Sequence, residues 1–117
     1  MGLSEHSEQA GLCRHLDRCS VFYCAIPNGG LRDGRTAKAL TNTGLKKGMP
    51  DLLVFDRPPK DPEKVGVAIE MKKVGGRGPT PHQQRALARL QERGWEVFVA
   101  YGCSDALKRL RELGYNV

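Results

Sequence analysis

Two short stretches of the chain carry residue types that could hold a cation and cleave a phosphate ester. Pro50-Asp51 stands directly before the apolar run Leu52-Leu53-Val54-Phe55, and Glu70-Met71-Lys72 closes the run 65–71, VGVAIEM. Residues two apart on a strand share a face, so Val67, Ile69 and Met71 look one way and Ala68, Glu70 and Lys72 the other. If the two runs pair, Asp51 lies beside Glu70. Two neighbouring carboxylates repel unless a cation lies between them. Hard oxygen ligands of this kind suit Mg²⁺ or Mn²⁺, which keep several waters and meet phosphate oxygens. Lys72 would then hold the attacking water or stabilise charge on the phosphate. The same residues would also serve as a plain ion pair at a strand end.

A third element bears on that choice. Gln83, Leu87 and Leu90 recur at i, i+4 and i+7, which is one helix face. With Leu87 and Leu90 packed on the sheet, Gln83 sits on the sheet-facing side at the helix start, near the end of the strand that carries Lys72. Its amide needs partners, either a phosphate or water or the backbone of the preceding loop. His82 and Gln84 flank it, and His82 reads as a surface residue. The positive end of the helix favours an anion.

The elements that must position these groups follow from periodicity and punctuation. Ser4 or Ser7 caps a first helix over 5–19, in which Ala10, Cys13 and Leu16 recur at helical spacing. SVFYCAI, 20–26, is rich in β-branched and aromatic residues and reads as a strand ended by Pro27-Asn28-Gly29-Gly30. Residues 31–50 form a long basic excursion with a short helical piece over 36–40. The runs 52–55 and 65–71 are strands joined by a proline-broken hairpin tip, 56–64. A glycine-rich basic loop, 72–80, leads to a helix with Thr80 as cap and Pro81 at its first position, ending at Gly94. WEVFVAY, 95–101, is the fourth strand, and Ser104 caps a last helix that stops at Gly114. The order αβββαβα predicts antiparallel pairing of the first three strands and a parallel or mixed portion at the βαβ crossover. The 117 residues make a single domain with no repeat, linker or low-complexity tract.

Charge points to a polyanion. The chain carries a net +6, and it is concentrated: residues 31–50 carry a net +4 and residues 71–93 a net +5, with an acid-rich segment between them. Such a surface suits nucleic acid, although a solvated basic face has the same composition. No run of 18 apolar residues exists, and the N-terminal residues show no signal-peptide pattern, so a soluble cytoplasmic protein is expected. Cys13, Cys19, Cys24 and Cys103 form no C-x-x-C pair and are expected as free, buried thiols. Their spacing with His6 and His15 fits no structural zinc pattern.

Taken in order, Gly48, Pro50 and Asp51, then Glu70 and Lys72, then Gln83 opening a helix, resemble the VRR-NUC domain, a branch of the PD-(D/E)xK nuclease superfamily. Ile26-Pro27-Asn28-Gly29-Gly30 with Arg32, and Lys46-Lys47-Gly48, fit the same pattern, so the likeness spans roughly 8 to 115. It implies an α/β fold with a restriction-endonuclease-like core: a mixed four-stranded sheet flanked by helices. It also implies metal-dependent phosphodiester hydrolysis. Asp51, Glu70 and the Met71 carbonyl would be metal ligands, Lys72 the catalytic lysine and Gln83 the helix glutamine. Glu8 matches an acidic first-helix position, with Glu5 as its rival. Asn28 matches an asparagine after the first strand. Arg32, Arg35, Lys38, Lys46, Lys47, Lys73 and Arg77 would hold the DNA backbone, contacts that carry little sequence information. With no base-reading motif visible, shape recognition is expected over sequence specificity. Similar stand-alone domains, found in bacteria and their viruses, form homodimers and cut branched DNA such as four-way junctions, leaving a 5′-phosphate, which implies a bacterial or virus-infected cell as the setting. Trp95, Phe98 and Tyr101 would serve either an interface or the core. The open alternatives are a nicking or DNA-degrading nuclease of the same chemistry and a non-catalytic nucleic-acid-binding protein.

Overall fold

The computed structural model describes residues 3–27, 38, 39 and 41–117. Its elements are α1 (Glu5–Arg18), β1 (Tyr23–Ala25), β2 (Leu52–Val54), β3 (Val67–Lys72), α2 (Pro81–Glu92), β4 (Glu96–Tyr101) and α3 (Cys103–Glu112). The four strands form one sheet in the order β1-β2-β3-β4. The first two pairings are antiparallel and β3 runs parallel to β4, which α2 crosses between. This is the mixed α/β architecture expected from the element order.

Alternation along β3 divides the molecule. Val67, Ile69 and Met71 enter a core with Leu52 and Val54 of β2, Phe98 and Ala100 of β4, Leu12 and Leu16 of α1, and Leu107 and Leu110 of α3. Helices α1 and α3 pack on each other and close this face. On the other face α2 covers β3 and β4, with Leu87 buried beneath it and Leu90 half-buried. Truncating a fully buried leucine such as Leu110 to alanine costs about 2–5 kcal/mol, so these contacts hold the sheet ends in place.

Local chemistry sets most boundaries. Ser4 caps α1 and accepts from the Ser7 amide. Thr80 and Gln83 form a capping box at α2, with Pro81 at the first position. β1 is shorter than the 20–26 run because the Phe22 amide donates to the Asp56 carboxylate instead of to a strand, although Phe22 still accepts from the Phe55 amide. α3 differs from expectation: its N-cap is Gly102, at φ 99°, and Ser104 lies inside the helix. The capping group comes from far away in sequence. Glu8 on α1 accepts from the Cys103 amide at 3.1 Å, and a Cβ on Gly102 would stand 3.1 Å from that carboxylate and 2.8 Å from Val74.

The burial pattern on α1 also differs. Leu12 and Leu16 are fully buried, whereas Ala10 and Cys13 are only partly so. The cysteines are free as expected, but Cys19 and Cys24 are exposed and Cys13 and Cys103 half-buried, so burial holds for neither member of the first pair. Phe98 is core, Tyr101 is partly exposed, and Trp95 packs edge-on against Phe55. No helix among the described residues is long and apolar enough to cross a membrane.

Candidate active site

Register brings the chemistry-bearing residues together. Leu52 pairs with Ile69 across the antiparallel β2–β3 ladder, so the next pair outward is Asp51 and Glu70. Asp51 does not hang free there: its Oδ2 accepts from the Met71 amide at 2.7 Å. That bond fixes the carboxylate against β3, beside Glu70. Glu70 follows the alternation onto the α2 face, where it is 1 % exposed. It is the one buried polar or charged residue among the described residues.

Glu70 is also short of partners. Its Oε1 is buried and accepts no hydrogen bond among the described residues, and its Oε2 lies 3.7 Å from Lys72 Nζ. A buried charge without partners is costly, and proteins normally satisfy it or neutralise it. Burial pushes the Glu70 carboxyl up to about 8, the Asp51 carboxylate adds to the rise, and Lys72 opposes it. Glu5, at the start of α1, adds a third carboxylate. One oxygen each from Glu5, Asp51 and Glu70 lie within 4.8 Å of one another. Three converging carboxylates with an orphaned buried oxygen fit a hard divalent cation, which would supply the missing partner. Asp51 further lines a cleft of about 300 Å³ together with His6, Gln9, Ala10 and Ile26.

Lys72 leaves the same strand end and is held from the other side. Its Nζ donates to Gln83 Oε1 at 2.9 Å, and the Thr80 amide donates to the same oxygen at 2.9 Å. Both partners are donors only, which settles which end of the amide is the oxygen. Gln83 thus joins two readings of its position: it is satisfied by the loop backbone and it touches Lys72. Its Nε2 makes no hydrogen bond among the described residues and remains free for a phosphate oxygen or water. Gln84 turns back to the Pro79 carbonyl, and His82 lies on the surface with its Nδ1 3.2 Å from Arg85.

The loop before β2 docks onto this helix start. Gly48, at φ 81°, lies against the His82 backbone so closely that a Cβ would stand 2.7 Å from its carbonyl carbon and oxygen. Only glycine fits there, which accounts for the residue type at 48. Lys46 and Lys47 are exposed and line a cleft of about 270 Å³ with Thr80, His82 and Gln83. Lys38, Lys73 and Arg77 are exposed as well. Asn28, Arg32 and Arg35, and most of the short helix expected over 36–40, lie outside the described residues.

The first-helix acid was the open choice in the sequence. The structure places Glu5 with Asp51 and Glu70, while Glu8 binds the start of α3. The His and Cys residues of the N-terminal segment join no such cluster among the described residues. Met71 is buried and contributes its amide to Asp51.

Comparisons with known proteins give the family and the fold. Residues 5–104 match the family model described as the VRR-NUC domain. A solved structure described as a VRR_NUC domain protein superposes with a TM-score of 0.75 at 23 % identity, covering 97 % of this chain and 93 % of that one. A second, described as a VRR_NUC domain, gives 0.62 at 24 % identity and covers 97 % of this chain and all of that one. At these identities the likeness is one of fold. No curated protein matches the chain.

Proposed function

The chain belongs to the VRR-NUC domain family, a nuclease-type family, and we propose that it is a metal-dependent DNA endonuclease that prefers branched DNA such as four-way junctions. The observation that carries the chemistry is the orphaned Glu70 Oε1, buried beside Asp51 and Glu5 with Lys72 at its edge. An ion pair alone would leave that oxygen unsatisfied.

Asp51 and Glu70, helped by Glu5 and the Met71 carbonyl, would hold Mg²⁺ or Mn²⁺, which when bound acidifies a water and offsets charge on a phosphate. The chain's own groups do the rest. Asp51 is aimed by the Met71 amide. Lys72 is kept in place by Gln83 and has ammonium protons left to meet the attacking water or a non-bridging phosphate oxygen. The Gln83 Nε2 offers a further donor on the same side. A 3′-oxygen leaving group and a 5′-phosphate product complete the reading.

Lys38, Lys46, Lys47, Lys73 and Arg77 would hold the backbone, with Asn28, Arg32 and Arg35. Such contacts read shape and charge and make affinity salt-dependent. Two copies about a two-fold axis would present two sites to two strands, which suits a symmetric junction.

The test is a cleavage assay on a four-way junction, a flap, a single strand and a plain duplex, each with Mg²⁺, Mn²⁺ or EDTA. Metal-dependent cutting of the junction ahead of the others, lost in Lys72→Ala, is expected. Equal cutting of all substrates would replace junction selectivity with a general or nicking nuclease. No cutting of any, with tight salt-sensitive binding, would favour a DNA-binding protein.

A further inference from the structure

Helix α2 carries a basic ladder beside the candidate site. Arg85, Arg89 and Arg93 recur at i, i+4 and i+8 and are all exposed. At 1.5 Å rise per residue they stand about 6 Å apart along one stripe, about 12 Å in all, the axial length of three to four base pairs. Like charges four apart cost an isolated helix about 0.2–0.5 kcal/mol per pair. No carboxylate offsets that cost: none of the three makes an ion pair among the described residues. Arg85 turns toward His82 Nδ1 and Arg93 toward the Arg89 carbonyl, so their remaining donors face outward.

The ladder flanks a groove of about 380 Å³. Lys46, Met49, Ala86 and Leu90 line it too, and among the described residues no acidic one does. The groove does not end blindly. Lys46 and Met49 also line the neighbouring cleft with Thr80, His82 and Gln83, and Gln83 holds Lys72. Basic groups therefore line the way from Arg93 along α2, past Lys46 and Lys47, to Gln83 and the Lys72 that it holds.

We infer that this path is a track for the DNA backbone, in which Arg85, Arg89 and Arg93 with Lys46 hold phosphates on one arm of the substrate, away from the bond being cut. The charge, the linear spacing and the continuity with the site all call for a long polyanion rather than a compact ligand. The inference rests on the nuclease reading above and adds to it where the DNA lies.

The test compares the full chain with Arg85→Gln/Arg89→Gln/Arg93→Gln. Binding of a fluorescein-labelled duplex is followed by anisotropy in Ca²⁺, at NaCl from about 50 to 200 mM, the range over which phosphate contacts show themselves. Each lost phosphate contact removes about 0.9 from the slope of log K against log salt, so the triple variant should be shallower by about 2 to 3. Its single-turnover cleavage at saturating DNA should stay within about twofold of wild type. The Arg→Lys triple should restore the slope. Lys60→Gln/Lys64→Gln/Lys108→Gln, which removes three charges elsewhere, should leave it unchanged. An unchanged slope in the arginine variant, while wild type binds and cuts, overturns the track alone and would leave the groove to another occupant such as an acidic peptide. An equal fall in the lysine control also overturns it, because net charge would then explain the effect. A wild type that neither binds nor cuts DNA overturns the nuclease reading and the track with it.

Discussion

Lys72 and Gln83, eleven residues apart in sequence, are joined by a 2.9 Å hydrogen bond from ammonium to amide oxygen, and that oxygen also accepts from the Thr80 amide. One acceptor thus completes a helix cap and positions the lysine at the candidate site. On the proposed reading, the stability of α2 and the reactivity of Lys72 would be coupled through it. Replacing Gln83 by leucine should destabilise the fold by about 0.5–1.5 kcal/mol, the range for a lost hydrogen bond. It should also slow single-turnover cleavage roughly tenfold or more, since a misplaced catalytic group costs at least that. Gln83→Glu keeps an acceptor for both donors and should retain the stability. Chemical denaturation and single-turnover kinetics on the same two variants check the coupling. A leucine variant that loses stability but cuts at the wild-type rate would make Gln83 a cap alone.

Glu70 should make the metal-free protein less stable as pH rises. Its carboxyl is raised from 4.5 to about 8, chiefly by burial. Between those values the folded chain keeps a proton that the unfolded chain has lost, so folding binds protons there and stability falls with increasing pH. The contribution is fully present below about 4.5 and is lost as pH passes about 8. Thermal melts in EDTA from pH 5 to 9 should show this decline, and Glu70→Gln should flatten it while abolishing cleavage. A slope unaltered by the substitution would assign it to other groups.

The two acids of α1 should separate. Glu5 lies with Asp51 and Glu70, so Glu5→Gln should raise the Mg²⁺ concentration needed for half-maximal cleavage, with little change in the melting temperature. Glu8 caps α3 through the Cys103 amide, so Glu8→Ala should cost about 0.5–2 kcal/mol of stability and leave the metal requirement unchanged. A metal titration and a melt on each variant decide it. The reverse pattern would exchange their roles.

Much of this was legible in the chain because strand alternation and helix caps are local signals. The pairing of Asp51 with Glu70 follows from two apolar runs and a hairpin tip, and Gln83 from the spacing of Leu87 and Leu90. What was not legible depends on tertiary packing. Glu5 and Glu8 lie three apart on one helix, and only the angle at which α1 meets α3 decides which of them reaches β3. That same packing lets Glu8 cap α3, so Ser104, a good cap by its type, ends up inside the helix. Burial of Glu70 also needed the sheet, because an acid at a strand end is usually exposed. The arginine ladder was visible as spacing, but its groove appears only when Lys46 and Met49 fold back against α2.

The central claim, that Asp51 and Glu70 hold the ion that cleaves DNA, is tested most directly by Asp51→Asn. The substitution removes one negative charge and keeps an oxygen for the Met71 amide, so the fold should survive. The measurement is cleavage of a labelled four-way junction in Mg²⁺, Mn²⁺ and EDTA, alongside binding of the same junction. The account predicts cutting by wild type with either metal, none in EDTA, and none by the variant, with junction binding equal or tighter. Cleavage by the variant within tenfold of wild type, or by wild type in EDTA, would contradict it.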